Sequence, residues 1–358
     1  MELNSNKLQN NPLLSFCLVA YNQESFIREA VQGALDQTYS PLQIVLSDDC
    51  SSDRTFDIMQ EMTANYKGPH DIMLNRNANN LGLVGNINRT IKLCHGEWII
   101  KADGDDISLK NRVEIISKII KNKNIFGIGT ASQIIDRKNN IKGVQYVTNT
   151  IFGSNSAWHR KCFEYFGDLP VNLGCEDNVL YFRSLLLGGV AFSNEITVRY
   201  RMYDSISNKS YSDLKGYYVH KLKMNNLILS TLDVRINELR KFDMDLPRKY
   251  KVQKILENKK TNISDNNIFI SYFIDLTEKT LLNRLSTLFG KRGSIRISLK
   301  KKIKLLFLTN SFFAKLYTWI APGWLTIGYP HNSINSSNEA IIKTLDDYIE
   351  ESDVLTHW

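Results

Sequence analysis

The segment WIIKADGDDISL, Trp98 to Leu109, drives an apolar run into three carboxylates, Asp103, Asp105 and Asp106. A short apolar run bounded by turn-forming residues marks a strand buried on both faces. Its carboxylates therefore collect at the C-terminal end of that strand, the edge at which open α/β sheets bind ligands. Two further acidic features take equivalent places. Asp48 and Asp49 follow the apolar run LQIVLS, residues 42–47, and Glu176 and Asp177 open the stretch CEDNVLYFRSLLLGG, residues 175–189. Carboxylates this close raise one another's pKa and cost stability unless a cation neutralises them. Oxygen ligands with few His or Cys nearby suit Mg2+ or Mn2+, ions that commonly keep substrate phosphates as further ligands. A solvated acidic turn is the competing reading of DGDD taken alone, since Asp and Gly form turns; its place at a strand end favours the ion site.

Outward from this segment, short apolar runs alternate with amphipathic ones, the pattern of a sheet covered by helices. LLSFCLVA, residues 13–20, and LQIVLS predict buried strands, and between them Phe26, Ile27, Ala30, Val31, Ala34 and Leu35 share one helical face. SDRTFDIMQEMTANY, residues 52–66, and LVGNINRTIKLC, residues 83–94, predict helices on either side of a strand HDIMLN, residues 70–75. Ser108 is the expected N-cap of a helix running through Ile120. A hairpin turning on RKNN, residues 137–140, then a helix from Glu176 and a strand VAFSNEITVRYRM, residues 190–202, complete this part. From about residue 208 the pattern reads as helices only, with NKKTNISDNN, residues 258–267, as a linker. The fold class expected is α/β with a helical C-terminal region, divided as residues 1–208 and 209–358.

Composition narrows the class. With 358 residues and 43% hydrophobic content the chain is long enough for one large domain and a smaller one. Five scattered cysteines without a CxxC pair argue against a disulfide framework or a zinc site and for a reducing, cytoplasmic setting. The start, MELNSNKLQNN, lacks a signal-peptide pattern, and no uninterrupted apolar run reaches the roughly 18 residues of a membrane span, so neither export nor spanning is expected. The net charge of +8 is concentrated: residues 1–200 are near neutral, whereas 201–304 hold 23 Lys and Arg against 10 Asp and Glu. Such a basic stretch is either a solvated helical face or a surface for anionic partners.

Four blocks carry a family resemblance. VAYNQESFIREAVQGALDQTYSPLQIVLSDDCSSDRT (19–55), GEWIIKADGDDISLKNRV (96–113), CEDNVLYFRSLLLGG and VRYRMYDSIS (198–207) resemble, in order and spacing, the inverting family 2 glycosyltransferases of the GT-A fold, over residues 12–208. The resemblance implies a nucleotide-sugar-binding domain with a mixed central sheet. It implies a nucleoside pocket lined by Ala20, Tyr21, Asn22 and Glu24, with Asp49 hydrogen-bonded to the base. Asp103, Gly104 and Asp105 match the DxD motif, Asp105 as direct ligand of Mn2+ or Mg2+ and Asp103 facing the ribose or the metal shell. Asp177 matches the catalytic base, with Glu176 beside it; Trp158 falls in the block that shapes the acceptor side.

Elementary chemistry agrees with these roles. A carboxylate at a strand end accepts from a ring N–H, so Asp49 suits uracil or a similar base, while Asp48 could instead cap the helix beginning near Asp53. A base must lie across the sugar from the departing diphosphate, which suits the distant Asp177, although a first-turn acid also gains from the helix dipole. Two departures stand out: Tyr203 occupies the place of a histidine common in relatives, and GNIN, with Asn86 and Asn88, replaces a stretch that often carries arginine.

The C-terminal part lies beyond the resemblance. Lys300, Lys301, Lys302 and Lys304 precede Phe307, Phe312, Phe313, Leu316, Tyr317 and Trp319. This pattern suits either a helix resting on an anionic membrane, near a lipid-linked acceptor, or a face packed on the catalytic domain or a second subunit as a homo-oligomer. The expected partners are thus a nucleotide-sugar donor and a glycan or lipid-linked acceptor, with no nucleic acid. A sugar-phosphate nucleotidyltransferase would want a Gly-rich, basic phosphate loop after the first strand, which AYNQES is not. A non-catalytic basic binding module would have no use for the carboxylates at the strand ends.

Overall fold

A computed structural model describes residues 11–147, 151–202, 214–277, 305 and 340–355. These fall into two compact units, one within Met1–Met202, Glu238–Asp243 and His331–Trp358, the other within Tyr203–Asn237 and Met244–Pro330.

The first unit is built on a mixed sheet. β1 (Leu14–Ala20) and β2 (Leu42–Asp48) are buried at every residue, as their apolar runs require. With β3 (Asp71–Arg76) and β4 (Trp98–Asp103) they pair in parallel in the order β3–β2–β1–β4, joined by the helices α1 (Ile27–Leu35), α2 (Thr55–Thr63) and α3 (Gly82–Leu93). The chain adds β2 and β3 on one side of β1 and β4 on the other, so a topological switch point lies at β1, where such sheets open a crevice. Register sets Ala20 opposite Asp48 and Val19 opposite Asp103, aligning three strand ends on one edge. Ile27, Ala30, Val31 and Ala34 of α1 pack into the core beneath that edge with Phe16, Leu18, Ile44 and Ile100.

Past β4 the sheet turns antiparallel. β8 (Ser156–His159) pairs with β4 and with β6 (Gly127–Ile135), and β9 (Gly189–Arg201) runs parallel to β6. β7 (Ile141–Gln145) forms the expected hairpin with β6. α4 (Arg112–Ile119), α5 (Lys161–Glu164) and α6 (Glu176–Leu187) complete the cover.

Three local expectations are corrected. Ser108 does not cap a helix: with Ile107 it forms a short strand, β5, on the edge of β9, α4 begins at Arg112, and the Ser108 hydroxyl accepts a hydrogen bond from Arg112 Nη1 at 2.8 Å. A tertiary strand partner outweighs a local capping preference here. NKKTNISDNN is not a linker but the middle of one helix, α8 (Leu246–Thr277), in the second unit. It holds no Pro or Gly to break the helix, and its Lys260 and Asn267 bind Asp233 and Asn226 of α7 (Leu214–Lys241). Strands also do not stop at residue 208: β10 (Ile341–Thr344) adds antiparallel to β9, ahead of α9 (Leu345–Leu355).

The basic and aromatic segment Lys300–Trp319, apart from Leu305, and Tyr203 lie outside the described residues. Among the described residues no helix is long and apolar enough to cross a membrane.

Candidate active site

The edge defined by Ala20, Asp48 and Asp103 is finished by two loops that hold each other. Asn22 sits at φ 51°, a conformation asparagine tolerates. Its Oδ1 accepts from the Ser52 N–H at 2.9 Å and its own N–H donates to Ser51 Oγ at 2.9 Å. Glu24 Oε2 accepts from the Arg54 N–H, and the Glu24 N–H donates to Asp53 Oδ2. The side chains of Asn22 and Glu24 are thus engaged in latching the β1–α1 loop to the β2–α2 loop. Tyr21, between them and the strand, is half exposed, at 48%.

Asp48 and Asp49 are both buried but serve different ends. Asp48 Oδ2 accepts from the Ser51 N–H at 2.9 Å and lies 3.5 Å from Arg76 Nε, tightening the turn after β2. Asp49 Oδ1 accepts from Asn77 Nδ2 at 2.8 Å and from the Leu81 N–H at 2.9 Å, which fastens the start of α3. The Asp49 N–H in turn donates to the Ala20 carbonyl, so this carboxylate is fixed against the end of β1. Asn86 and Asn88 are buried and bind Ser47, Asn77 and Leu169.

The turn Asp103–Asp106 is pinned from both sides. The Gly104 N–H donates to the Val19 carbonyl. Gly104 must be glycine because of close approach: a Cβ there would stand 2.4 Å from Gln23 Oε1 and 2.7 Å from Ala20 Cβ. Arg201, at the end of β9, donates from Nε to the Asp105 carbonyl at 2.8 Å, and its N–H donates to Asp106 Oδ1 at 2.8 Å. Burial, followed by the charges of Asp105 and Asp103, holds the Asp106 carboxyl well above the ordinary range.

Sequence reading missed the centre of the site. Lys101, in the middle of apolar β4, is only 5% exposed, and its Nζ lies 2.7 Å from Asp103 Oδ1 and 3.6 Å from Glu176 Oε1. An internal ammonium therefore offsets part of the acidic knot. The signal was present: a lysine in a strand buried on both faces needs a carboxylate partner. Gly153 was also missed. A Cβ on it would lie 2.9 Å from Lys101 Nζ and 3.1 Å from Glu176 Oε1, so the absent side chain makes room for the pair.

Asp177 stands in the first turn of α6, partly exposed, its Oδ1 accepting from the Asn178 N–H at 2.7 Å. Burial first and Glu176 second push its pKa up to about 7, against the hydrogen bonds from the Asn178 and Gly153 N–H groups and the charge of Lys101. Ala20, Gly104, Asp103, Lys101, Glu176 and Asp177 thus form one connected chain of contacts and charges. Glu176 faces Lys101 from a buried position rather than an acceptor. Trp158 does not belong: it is 1% exposed in β8, between Ile99 of β4 and Gly127 of β6, and presents no ring face to a sugar. An indole in the middle of a sheet is core.

The acidic turn fits a hard divalent ion. Asp103 and Asp105 are partly exposed, and the buried Oδ2 of Asp106 lacks a hydrogen-bond partner among the described residues. This donor set is oxygen only, as Mg2+ or Mn2+ prefers. Among the described residues no three His, Cys, Asp or Glu side chains are grouped to hold a metal, so an ion here would draw further ligands from substrate.

Comparison with known proteins agrees with this architecture. The chain is 26% identical over 245 residues to an uncharacterised glycosyltransferase of Haemophilus influenzae, covering 62% of this chain and 75% of the relative. It is 31% identical over 141 residues to the chondroitin synthase of Escherichia coli, covering 39% of this chain but only 20% of that protein. Among solved structures, TarS of S. aureus in complex with UDP superposes with a TM-score of 0.51 at 16% identity, covering 92% of this chain and 96% of that one. A mannosyltransferase of Pyrobaculum calidifontis in complex with GDP-Man and Mn2+ gives 0.56 at 12% identity, covering 98% and 88%. Residues 15–186 match the model of glycosyl transferase family 2. This part of the chain is a glycosyltransferase domain of that family, on a GT-A fold.

Proposed function

We propose that this enzyme transfers a sugar, with inversion, from a nucleoside diphosphate sugar to a hydroxyl of a glycan or lipid-linked acceptor. The donor is UDP-linked, and the setting is cytoplasmic synthesis of a bacterial surface polysaccharide such as O-antigen or capsule. One observation carries the reading: the acidic turn at the end of β4 and the first turn of α6, which holds Glu176 and Asp177, meet at Lys101, whose Nζ lies 2.7 Å from Asp103 and 3.6 Å from Glu176. An ordinary carboxylate is a weak base at neutral pH, whereas one near 7 can take the proton of an attacking hydroxyl as the new bond forms.

The remaining residues divide donor binding between them. Asp49, fixed between Ala20 and Leu81, accepts from the ring N–H of the base. Tyr21 offers an exposed ring at the nucleoside pocket, and Asn22 and Glu24 keep the pocket loops in place. Asp105 would hold a divalent ion, while Asp103, already paired with Lys101, would face the ribose side. Mn2+ or Mg2+, when bound, neutralises the charge that grows on the departing nucleoside diphosphate. UDP in TarS, GDP-Man and Mn2+ in the Pyrobaculum calidifontis mannosyltransferase, and a chondroitin synthase among the relatives support this assignment.

The test is a panel of UDP-glucose, UDP-galactose, UDP-N-acetylglucosamine and GDP-mannose, each with and without Mn2+ or Mg2+, scored by release of the nucleoside diphosphate. Turnover requires the ion, Asp105→Ala loses it, and Asp177→Asn binds UDP without turning the donor over. Full transfer by Asp177→Asn would overturn the assignment of the base.

A further inference from the structure

We propose that Lys101 is a positioning residue of this active site: its ammonium clamps the acidic turn of β4 to the first turn of α6, so that the donor-side carboxylates and Asp177 keep a fixed spacing. This rests on the reading of Asp177 as the base.

The geometry is that of a tie between two elements. One strand supplies Lys101 and Asp103, 2.7 Å apart, and one helix supplies Glu176, 3.6 Å from the same Nζ. Both partners of the lysine are acids from segments that must meet across the reacting sugar. The clamp is closed on its third side by Gly153, where even a methyl group would press on Lys101 Nζ at 2.9 Å and Glu176 Oε1 at 3.1 Å. The Gly153 N–H also acts on the Asp177 carboxylate, lowering its pKa. One glycine thus touches both the tie and the base.

Lys101 does not move a proton. Burial works against its ammonium, but Asp103 and Glu176 outweigh burial and raise its pKa, so it stays charged at every working pH. Among the groups that act on Asp177, Glu176 of α6 raises its pKa, whereas Lys101 of β4 and the Asn178 and Gly153 N–H groups lower it. The Cys175 thiol, pushed up to about 12 by burial and the neighbouring acids, stays neutral. Lys101 is thus the cation of this set, and it is held by the strand that carries the acidic turn.

Four variants test the proposal: Lys101→Met, Lys101→Arg, Gly153→Ala and Asp177→Asn as reference. Each is measured for UDP affinity by calorimetry, for kcat with the nucleotide sugar that the wild type turns over, and for the Asp177 carboxyl titration by 13C NMR. Lys101→Met is expected to keep UDP affinity, to lose about a hundredfold in kcat, as a misplacement of about 1 Å does, and to move the Asp177 midpoint upward. Lys101→Arg keeps the charge, so the Asp177 midpoint stays near the wild-type value, while the bulkier guanidinium, crowded at Gly153, lowers kcat at unchanged UDP affinity. Gly153→Ala changes no charge yet lowers kcat at unchanged UDP affinity. Wild-type kcat and an unmoved midpoint in Lys101→Met, beside an inactive Asp177→Asn, overturn the inference alone. Should Lys101→Met fail to fold, unaltered kcat in Gly153→Ala overturns it. Full activity of Asp177→Asn overturns the base reading and this inference together.

Discussion

Raising the pH through neutrality should switch this enzyme on in a way that an ordinary carboxylate base would not. Asp177 titrates at about 7, whereas an unperturbed aspartate titrates at 3.8. With a midpoint at 7, about a tenth of Asp177 is ionised at pH 6 and about nine tenths at pH 8, so kcat/KM rises roughly tenfold across that interval. A base near 4 would be fully ionised throughout and give a flat profile. The assay is donor turnover in Mg2+ at constant ionic strength from pH 5.5 to 9. Stability must move the opposite way. Between the unfolded value near 4 and the folded value near 7 the native state binds the extra proton, so the slope of unfolding free energy with pH is negative. It amounts to about 1.4 kcal/mol per pH unit, and to about 4 kcal/mol over the window as an upper bound, since Asp177 still meets solvent. Urea unfolding at pH 5 and 7 reads this loss, and Asp177→Asn removes it. Equal rates at pH 6 and pH 8, together with a pH-independent midpoint in urea, refute the reasoning.

Other substitutions separate the parts of the site. Asp105→Ala should reduce metal-dependent turnover by at least about a hundredfold, as loss of an electrostatic contact to a developing charge does, while the melting temperature stays near that of the wild type. Gly104→Ala forces a methyl group against Ala20 Cβ and Gln23 Oε1 at 2.7 and 2.4 Å; it should cost about 1–3 kcal/mol in urea unfolding and lower UDP affinity by displacing the acidic turn. Trp158→Ala should cost about 3–5 kcal/mol as a core truncation, whereas Trp158→Phe should fold and retain donor hydrolysis with no change in acceptor KM.

The fold was legible wherever burial alone chose the conformation. LLSFCLVA and LQIVLS could satisfy their apolar side chains only as central strands, and β1 and β2 are buried throughout. The errors fell where distant segments decide. Ser108 has the side chain of a helix cap, but the edge of β9 offers it a ladder. β10 has only four residues, too few for a period to show, and exists because β9 presents an edge to it. The acidic residues of the site were legible because carboxylates at strand ends are conspicuous. Trp158 misled because an aromatic beside a site looks the same in sequence whether it faces a sugar or the opposite strand.

Lys101 shows why the charge of a site cannot be reckoned from its acids alone. Asp103, Asp105, Asp106, Glu176 and Asp177, taken by themselves, demand an external cation. With an ammonium 2.7 Å from Asp103 and 3.6 Å from Glu176, one unit of that negative charge is already balanced within the fold, shared between two carboxylates. Burial, followed by the charges of Asp105 and Asp103, also favours the neutral form of Asp106. Outside that ion-paired group stand Asp105 and Asp177, one acid for each half of the proposed displacement. A protein that met its like-charge repulsion wholly with a divalent ion would bind that ion tightly and lose the fold without it. Here a lysine carries the structural share, and under the proposed function a bound divalent ion would keep its charge for the departing diphosphate. The same lysine keeps Asp177 from being driven still higher by Glu176, and so would hold the proposed base where a proton can be both taken and released near neutral pH.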